Sequence, residues 1–350
     1  PTPDPAARLD PGDLLLVDEA GMLDQETARA LLTLADESGA RVAFVGDRHQ
    51  LPAVGRGGTL DHAATWAHPS AVVTLETVHR FTDPDYAALS LQMRTGHDPG
   101  TVFDTLRRRG QILIHPTEVE RTAALANAGA TGDLVIADTH EQVADLNATI
   151  HDHHCHDEDT TAGLTTAAGE RIGLGDRVAT RRNDPDLQVA NRQTWTVTGV
   201  GDDGSLVLHD HRKGPGGRGR DRVIPSEYAT RFVELAYATT VHGAQGETVT
   251  SAHVVVGEHT GASSAYVAMT RGREQNTAHL VAENLDDARR QWVDAFSRDR
   301  ADLGPAHARH RAVDAIDRYG SDARRRTALP PPPAPSPAPS TQSRGRGLSL

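Results

Sequence analysis

Residues 14–21 read LLLVDEAG: four apolar residues, two carboxylates, then a small-residue turn. An uninterrupted apolar run that stops abruptly at charge is the pattern of a strand buried on both faces of a parallel sheet. The same grammar returns at Val42-Ala43-Phe44-Val45 before Gly46-Asp47, and at Leu134-Val135-Ile136-Ala137 before Asp138. Val254-Val255-Val256 before Gly257 and His279-Leu280-Val281 repeat it. Helical periodicity lies between some of these runs: Gln25 to Ser38 is apolar at Ala28, Leu31, Leu32 and Ala35, and Glu141 to His151 at Val143, Leu146 and Ile150. Strands alternating with such helices predict an α/β fold with parallel sheets. In such sheets functional groups gather at the carboxyl ends of the strands, where Asp18, Asp47 and Asp138 stand.

Between about 161 and 230 the pattern changes to short β-runs and tight turns. Asp176–Thr180, Thr194–Val197 and Ser205–Leu208 read as strands, with Asp202-Asp203-Gly204 a hairpin turn, which predicts a small β-barrel-like insertion. Residues 284–328 read as a weakly amphipathic helical extension, and 329–350 as a Pro-rich disordered tail.

The 350 residues carry 36 basic and 48 acidic side chains, a net charge of −12. Bulk attraction to nucleic acid is thereby excluded, and any DNA contact needs a local groove. Lys213 is the only lysine, so almost every positive charge is an arginine. The single cysteine, Cys155, excludes an internal disulfide framework. With no apolar run long enough for a membrane helix and no leader pattern, the expectation is a cytoplasmic protein without a membrane span.

An acidic pair directly after a buried strand suits nucleoside-triphosphate chemistry, Asp18 holding Mg²⁺ through water and Glu19 polarising the attacking water. The alternative is a strand-end loop with two solvated carboxylates. After the second strand, Gln50 is an amide able to sense a γ-phosphate and Asp47 a carboxylate able to help position the metal shell; a polar turn closed by Pro52 fits the same residues.

DEAG at 18–21 and GDRHQLPAVGRGG at 46–58 resemble motifs II and III of superfamily 1 helicases of the RecD-like 5′→3′ group. LETVHRF at 75–81 is similar to motif IV, ATTVHGAQG at 238–246 to motif V, and YVAMTRGR at 266–273 to motif VI, all in the expected order. TRRND near 180, WTVTGV from 194 and VAMTRGRE most resemble the helicase half of MobF-class conjugative relaxases, the TraA/TrwC type. The resemblance implies tandem RecA-like domains of the P-loop NTPase class. Residues 1–74 would be the C-terminal part of the first, truncated domain, and 75–160 with 231–283 the second, interrupted by an SH3-like insertion at 161–230. ATP and Mg²⁺ would occupy the cleft and single-stranded DNA would cross its top. It further implies Asp18 as the Mg²⁺ carboxylate, Glu19 as general base, Gln50 as γ-phosphate sensor, and Arg80 and Arg271 as arginine fingers. Asp47 and Gly246 would lie on the nucleotide side, and Thr240, His242 and Gln245 would couple the nucleotide to the DNA backbone.

Two departures stand out. Many relatives carry a glutamate two residues after the QG pair, where this chain has Thr248, with Glu247 one step early. Nor do the 350 residues contain a GxxxxGK[ST] phosphate loop: no lysine precedes Asp18, and Lys213 sits in a Gly-rich stretch with no strand before it. The expectation is therefore an upstream portion of the same protein that carries the loop and, in this family, a relaxase domain. The Pro-rich tail is then left as a contact for the conjugation machinery. The rival reading is a non-catalytic DNA-binding or partner-docking remnant. Two lesser features have bland readings that are favoured over functional ones. The His151–Asp157 cluster reads as a polar helix end rather than a metal site, and Trp195 as core of the insertion rather than a base-stacking platform.

Overall fold

The computed structural model describes residues 8–53, 57–75, 77–154, 163–210 and 220–298. The readings of Cys155–Asp157, of the Gly-rich loop around Lys213 and of the chain from 299 onward fall outside these residues.

Strands β1 (Leu14–Val17) and β2 (Arg41–Phe44) pair in parallel, Leu14 opposite Arg41 and Val17 opposite Phe44. The crossover is α1 (Gln25–Ser38), which starts where the Asp24 carboxylate accepts from the Thr27 amide at 2.9 Å and stops at Gly39 in left-handed backbone (φ 69°). After α2 (Thr59–Trp66) the chain enters the second body through α3 (Pro84–Thr95) and α4 (Pro99–Arg108). Next come β3 (Ile112–His115), α5 (Glu118–Ala130), β4 (Leu134–Ala137) and α6 (His140–His154).

An antiparallel excursion follows: β5 (Leu164–Thr165), β6 (Arg171–Ile172), β7 (Arg177–Thr180), β8 (Thr194–Val200), β9 (Leu206–Asp210), β10 (Arg220–Ile224), α7 (Ser226–Phe232) and β11 (Val233–Leu235). Strands β7 to β11 make one five-stranded sheet in the order β10-β9-β8-β7-β11, and β5 pairs with β6 apart from it. The excursion runs past the expected boundary at 230. β11 pairs with β7, Val233 opposite Thr180, because Val233 and Leu235 alternate inward with Glu234 between them. Trp195 is buried in this module and its indole Nε1 donates to Thr180 Oγ1 at 3.3 Å. It is core.

The chain then completes the parallel sheet with β12 (Ala238–Thr240), α8 (Val241–Ala244), β13 (Val249–Val255), α9 (Ala262–Ala268) and β14 (Gly272–Val281), and closes with α10 (Leu285–Ser297). The strand order is β12-β4-β13-β14-β3, all parallel, with strands from both sides of the excursion. Alternate residues of β4 feed two cores. Leu134 and Ile136 join Phe103, Leu106 and Trp292 on one face, while Val135 and Ala137 join Leu125, Ile150 and the antiparallel module on the other. The architecture is an α/β, RecA-like arrangement of parallel sheets. Among the described residues no helix is long and apolar enough to cross a membrane.

One polar seam crosses the second sheet. His115 Nε2 and His279 Nδ1 lie 3.0 Å apart, His279 Nε2 and His253 Nδ1 2.8 Å, and His253 Nε2 and Asp133 Oδ2 3.2 Å. An ionised Asp133 can only accept, so it fixes each imidazole as the Nε2–H tautomer along the row. Burial, with the neighbouring His253, His115 and Arg121, drives His279 down to about 3.

Candidate active site

Asp18 and Glu19 are exposed at the carboxyl end of β1. Asp18 Oδ1 accepts from the Glu19 amide at 2.8 Å, and Glu19 has left-handed backbone (φ 51°, ψ 37°), a conformation a non-glycine residue adopts at a cost. The turn is held against the end of β2, the Ala20 amide donating to the Val45 carbonyl at 2.8 Å. A Cβ at Gly21 would stand 2.8 Å from the Asp47 carbonyl oxygen, so only glycine lets the two strand-end loops touch.

Asp47 turns toward the second body. Its Oδ1 accepts from the His49 amide (3.0 Å) and from Arg94 Nε on α3 (3.2 Å), and its Oδ2 accepts from the Tyr266 hydroxyl on α9 (3.1 Å). Burial, then the Asp47 charge, pushes the Tyr266 phenol up to about 12. Gln50 is partly buried just beyond, its amide donating to the Asp47 carbonyl at 3.2 Å.

Both candidate arginines reach the cleft region from the second body. Arg80 Nη1 donates to the Thr270 carbonyl at 2.7 Å. Burial lowers its pKa, while the charges of Tyr266 and Glu19 act the other way. Arg271 is 1% exposed. Its Nε donates to the Val267 carbonyl (2.8 Å), Nη1 to the carbonyls of Ala244 and Glu247 (both 3.4 Å), and Nη2 to Thr270 Oγ1 (3.1 Å). Burial and Arg80 bring it down to about 10, with Tyr266, Glu19 and Glu247 opposing.

Gln245 crosses between the bodies. Its Nε2 donates to Glu19 Oε2 at 3.3 Å, and its Oε1 is buried without a hydrogen-bond partner. Thr240 is a helix cap, its Oγ1 accepting from the Gly243 amide at 3.1 Å at the start of α8. His242 is half-buried, its imidazole pKa lowered by burial and by Arg192 and His140, and its carbonyl accepts from Arg192 Nη1 at 3.2 Å. Gly246 is exposed in left-handed backbone (φ 84°).

The structure thus brings Glu19, Gln245, Arg80 and Arg271 into one electrostatic neighbourhood, with Asp18 beside them. It gives Asp47 a tyrosine and an arginine as partners, and it places Gln245 against the motif II carboxylate. Arg94 and Tyr266 were not singled out from sequence. Tyr266 opens the motif VI string, which was the one signal available; nothing marks Arg94.

An AAA-domain family model matches residues 3–117. Over 293 residues the chain is 26% identical to a probable conjugal transfer protein TraA of Sinorhizobium fredii, a match covering 79% of this chain and 25% of that protein. It is 26% identical over 303 residues to the ATP-dependent DNA helicase Pif1 of Bdellovibrio bacteriovorus, covering 77% of this chain and 66% of that one. The fold is shared with Bacteroides Pif1 bound to single-stranded DNA, at a TM-score of 0.55 and 17% identity over 89% of this chain and 76% of that chain. The chain is similar in sequence to conjugal transfer TraA proteins and to Pif1 helicases, and it shares the Pif1 fold. It spans about a quarter of the length of the TraA it matches. Glu19 of the DEAG string lies within electrostatic reach of both Arg80 and Arg271.

Proposed function

We propose that these residues form the ATP-hydrolysing cleft and part of the DNA track of a 5′→3′ single-stranded-DNA translocase, within a conjugative relaxase–helicase. The observation that carries this reading is the convergence of Glu19, Gln245, Arg80 and Arg271 between two parallel sheets. One wall offers carboxylates and the other guanidiniums, the charge pattern that phosphoryl transfer to water requires.

In this reading Glu19 takes a proton from the water that attacks the γ-phosphorus, and Gln50 senses that phosphate from the motif III turn. Asp18 suits water-mediated Mg²⁺, being an exposed oxygen donor at a strand end whose Oδ1 already orients the next amide. Held there, Mg²⁺ would supply charge neutralisation to the nucleotide's phosphates. Arg80 and Arg271 stabilise the charge that develops in transfer. Arg271 must exchange some of its carbonyl partners for phosphate oxygens as the bodies close. Gly246 lets the backbone approach the nucleotide, and α8, capped by Thr240, carries His242 and Gln245 between nucleotide and DNA.

These 350 residues contain no GxxxxGK[ST] phosphate cradle, and their only lysine is Lys213. Residues 1–350 alone are accordingly expected to show no appreciable Mg²⁺-dependent hydrolysis. The test is strand displacement by a polypeptide carrying these residues together with a phosphate-binding loop, on duplexes with a 5′ or a 3′ single-stranded tail. ATP-dependent unwinding from the 5′ tail only, abolished by Glu19→Gln, is expected; unwinding from the 3′ tail, or activity that survives Glu19→Gln, contradicts the assignment.

A further inference from the structure

Asp47 was a candidate for the metal shell, yet both of its carboxylate oxygens are engaged by the second body. Oδ1 accepts from Arg94 Nε at 3.2 Å and Oδ2 from the Tyr266 hydroxyl at 3.1 Å. The side chain is largely buried, at 15% exposure. Tyr266 is not an isolated partner. The next residue, Val267, gives its carbonyl to Arg271 Nε at 2.8 Å. The Tyr266 carbonyl accepts from Thr270 Oγ1 at 2.9 Å, and the Thr270 carbonyl in turn receives Arg80 Nη1 at 2.7 Å. The adjoining Met269 carbonyl is held by the Tyr86 hydroxyl at 2.7 Å from α3, the helix that also carries Arg94. A continuous hydrogen-bonded path therefore runs from the end of β2, through one tyrosine at the C-terminal half of α9, to both arginines.

We infer that Asp47, Tyr266 and Arg94 are positioning residues: they clamp the motif III turn to α9 and thereby set where the Arg80 and Arg271 guanidiniums stand. Asp47 on this account acts through the arginines and holds no metal. The physical basis is that a buried carboxylate with an arginine and a tyrosine as its donors is costly to separate, because each partner left behind is an unsatisfied buried group. A displacement of the β2 end is transmitted to α9 rather than absorbed. Arg271 follows because its Nε is tied one residue away from the clamp.

The inference rests on the reading of Arg80 and Arg271 as phosphate-facing groups, but its test needs no nucleotide. In residues 1–350, the Arg271 side-chain Nε–H signal is identified by nitrogen–proton correlation spectroscopy through its loss in Arg271→Lys. Its exchange with solvent is then followed in Tyr266→Phe and Asp47→Asn. Exchange faster by about tenfold or more in both variants is expected, with Arg94→Gln intermediate and the exposed Glu227→Gln unchanged. As a second readout, Leu208→Ala, a core truncation in the antiparallel module, serves as the loosening control: at an equal fall in melting temperature it should leave Arg271 exchange near wild type, whereas Tyr266→Phe and Asp47→Asn should not. Arg271 exchange and shift unchanged in folded Tyr266→Phe and Asp47→Asn would overturn the inference. If Asp47→Asn proves unfolded, Tyr266→Phe and Arg94→Gln decide it by the same criterion. Failure of the unwinding assay would remove the helicase reading and leave this measurement standing.

Discussion

The two parallel sheets carry the same kind of sequence and live in different surroundings. In β4 of the second sheet all four residues are buried, Leu134 at 2% exposure and the rest at 0%. In β1 of the first sheet Leu14 is 55% and Leu16 60% exposed, and Leu32 and Leu34 of α1 also face outward. Yet the exposed sheet bears the carboxylates Asp18 and Glu19, and the buried one sits beside Arg80 and Arg271, the groups proposed to answer them. An apolar strand run therefore identifies a parallel strand without saying what covers it. The second sheet is a rigid platform with two cores, and the first is a small element whose strand ends are pinned to that platform by Asp47 and Gln245.

The contrast can be broken at four points. The largest effect is expected at Arg271, in a polypeptide that also carries a phosphate-binding loop. Arg271→Ala should lower ATP turnover about a thousandfold while nucleotide binding, read by a fluorescent analogue, largely survives. Near-normal steady-state turnover would return Arg271 to a purely structural role on the platform.

Next comes burial itself. Ile136→Ala should cost about 3 kcal/mol, from lost transfer energy and the cavity left behind, whereas Leu16→Ala should cost less than about 1 kcal/mol. Urea unfolding of residues 1–350 measures both, and equal losses would mean that the exposed face of β1 is covered in solution.

The histidine row gives the platform a pH dependence of its own. His279 is depressed from its ordinary 6.5 to about 3, so the folded protein binds its proton less readily than the unfolded chain. Its contribution is complete above pH 6.5 and is lost progressively as pH falls toward 3, reaching about 2 kcal/mol by pH 5. Urea midpoints between pH 7.5 and 5 should fall accordingly, and His279→Gln should flatten that acid limb. A limb unaltered by the substitution would assign the acid sensitivity to other groups. The smallest effect belongs to Thr240, whose loss as a cap in Thr240→Ala should cost about 1 kcal/mol, read in the same unfolding experiment.

Much of this was legible in the residues. The run at 134–137 and the periodicity of 25–38 correspond to β4 and α1, and Asp24 and Gly39 bracket that helix as capping chemistry requires. The ordered motifs carried the family. What sequence could not show is set by contacts remote along the chain. The end of the antiparallel module at Leu235 rather than 230 depends on β11 finding β7 across more than fifty residues. The burial of Arg271 depends on carbonyls of α8 and α9 that converge only when β12, β13 and β14 align. Asp47 has the spacing of a metal-shell residue, and its actual partners lie on two helices of the other body. Gln245 sits in a motif associated with DNA coupling, and its side chain meets Glu19 instead.

The central claim is that the cleft between the two sheets hydrolyses ATP with Glu19 as the base. The most direct measurement is phosphate release, with and without single-stranded DNA, by a polypeptide joining these residues to a phosphate-binding loop, compared with its Glu19→Gln variant. The account predicts DNA-stimulated release that Glu19→Gln removes while nucleotide still binds; equal release from both proteins would contradict it.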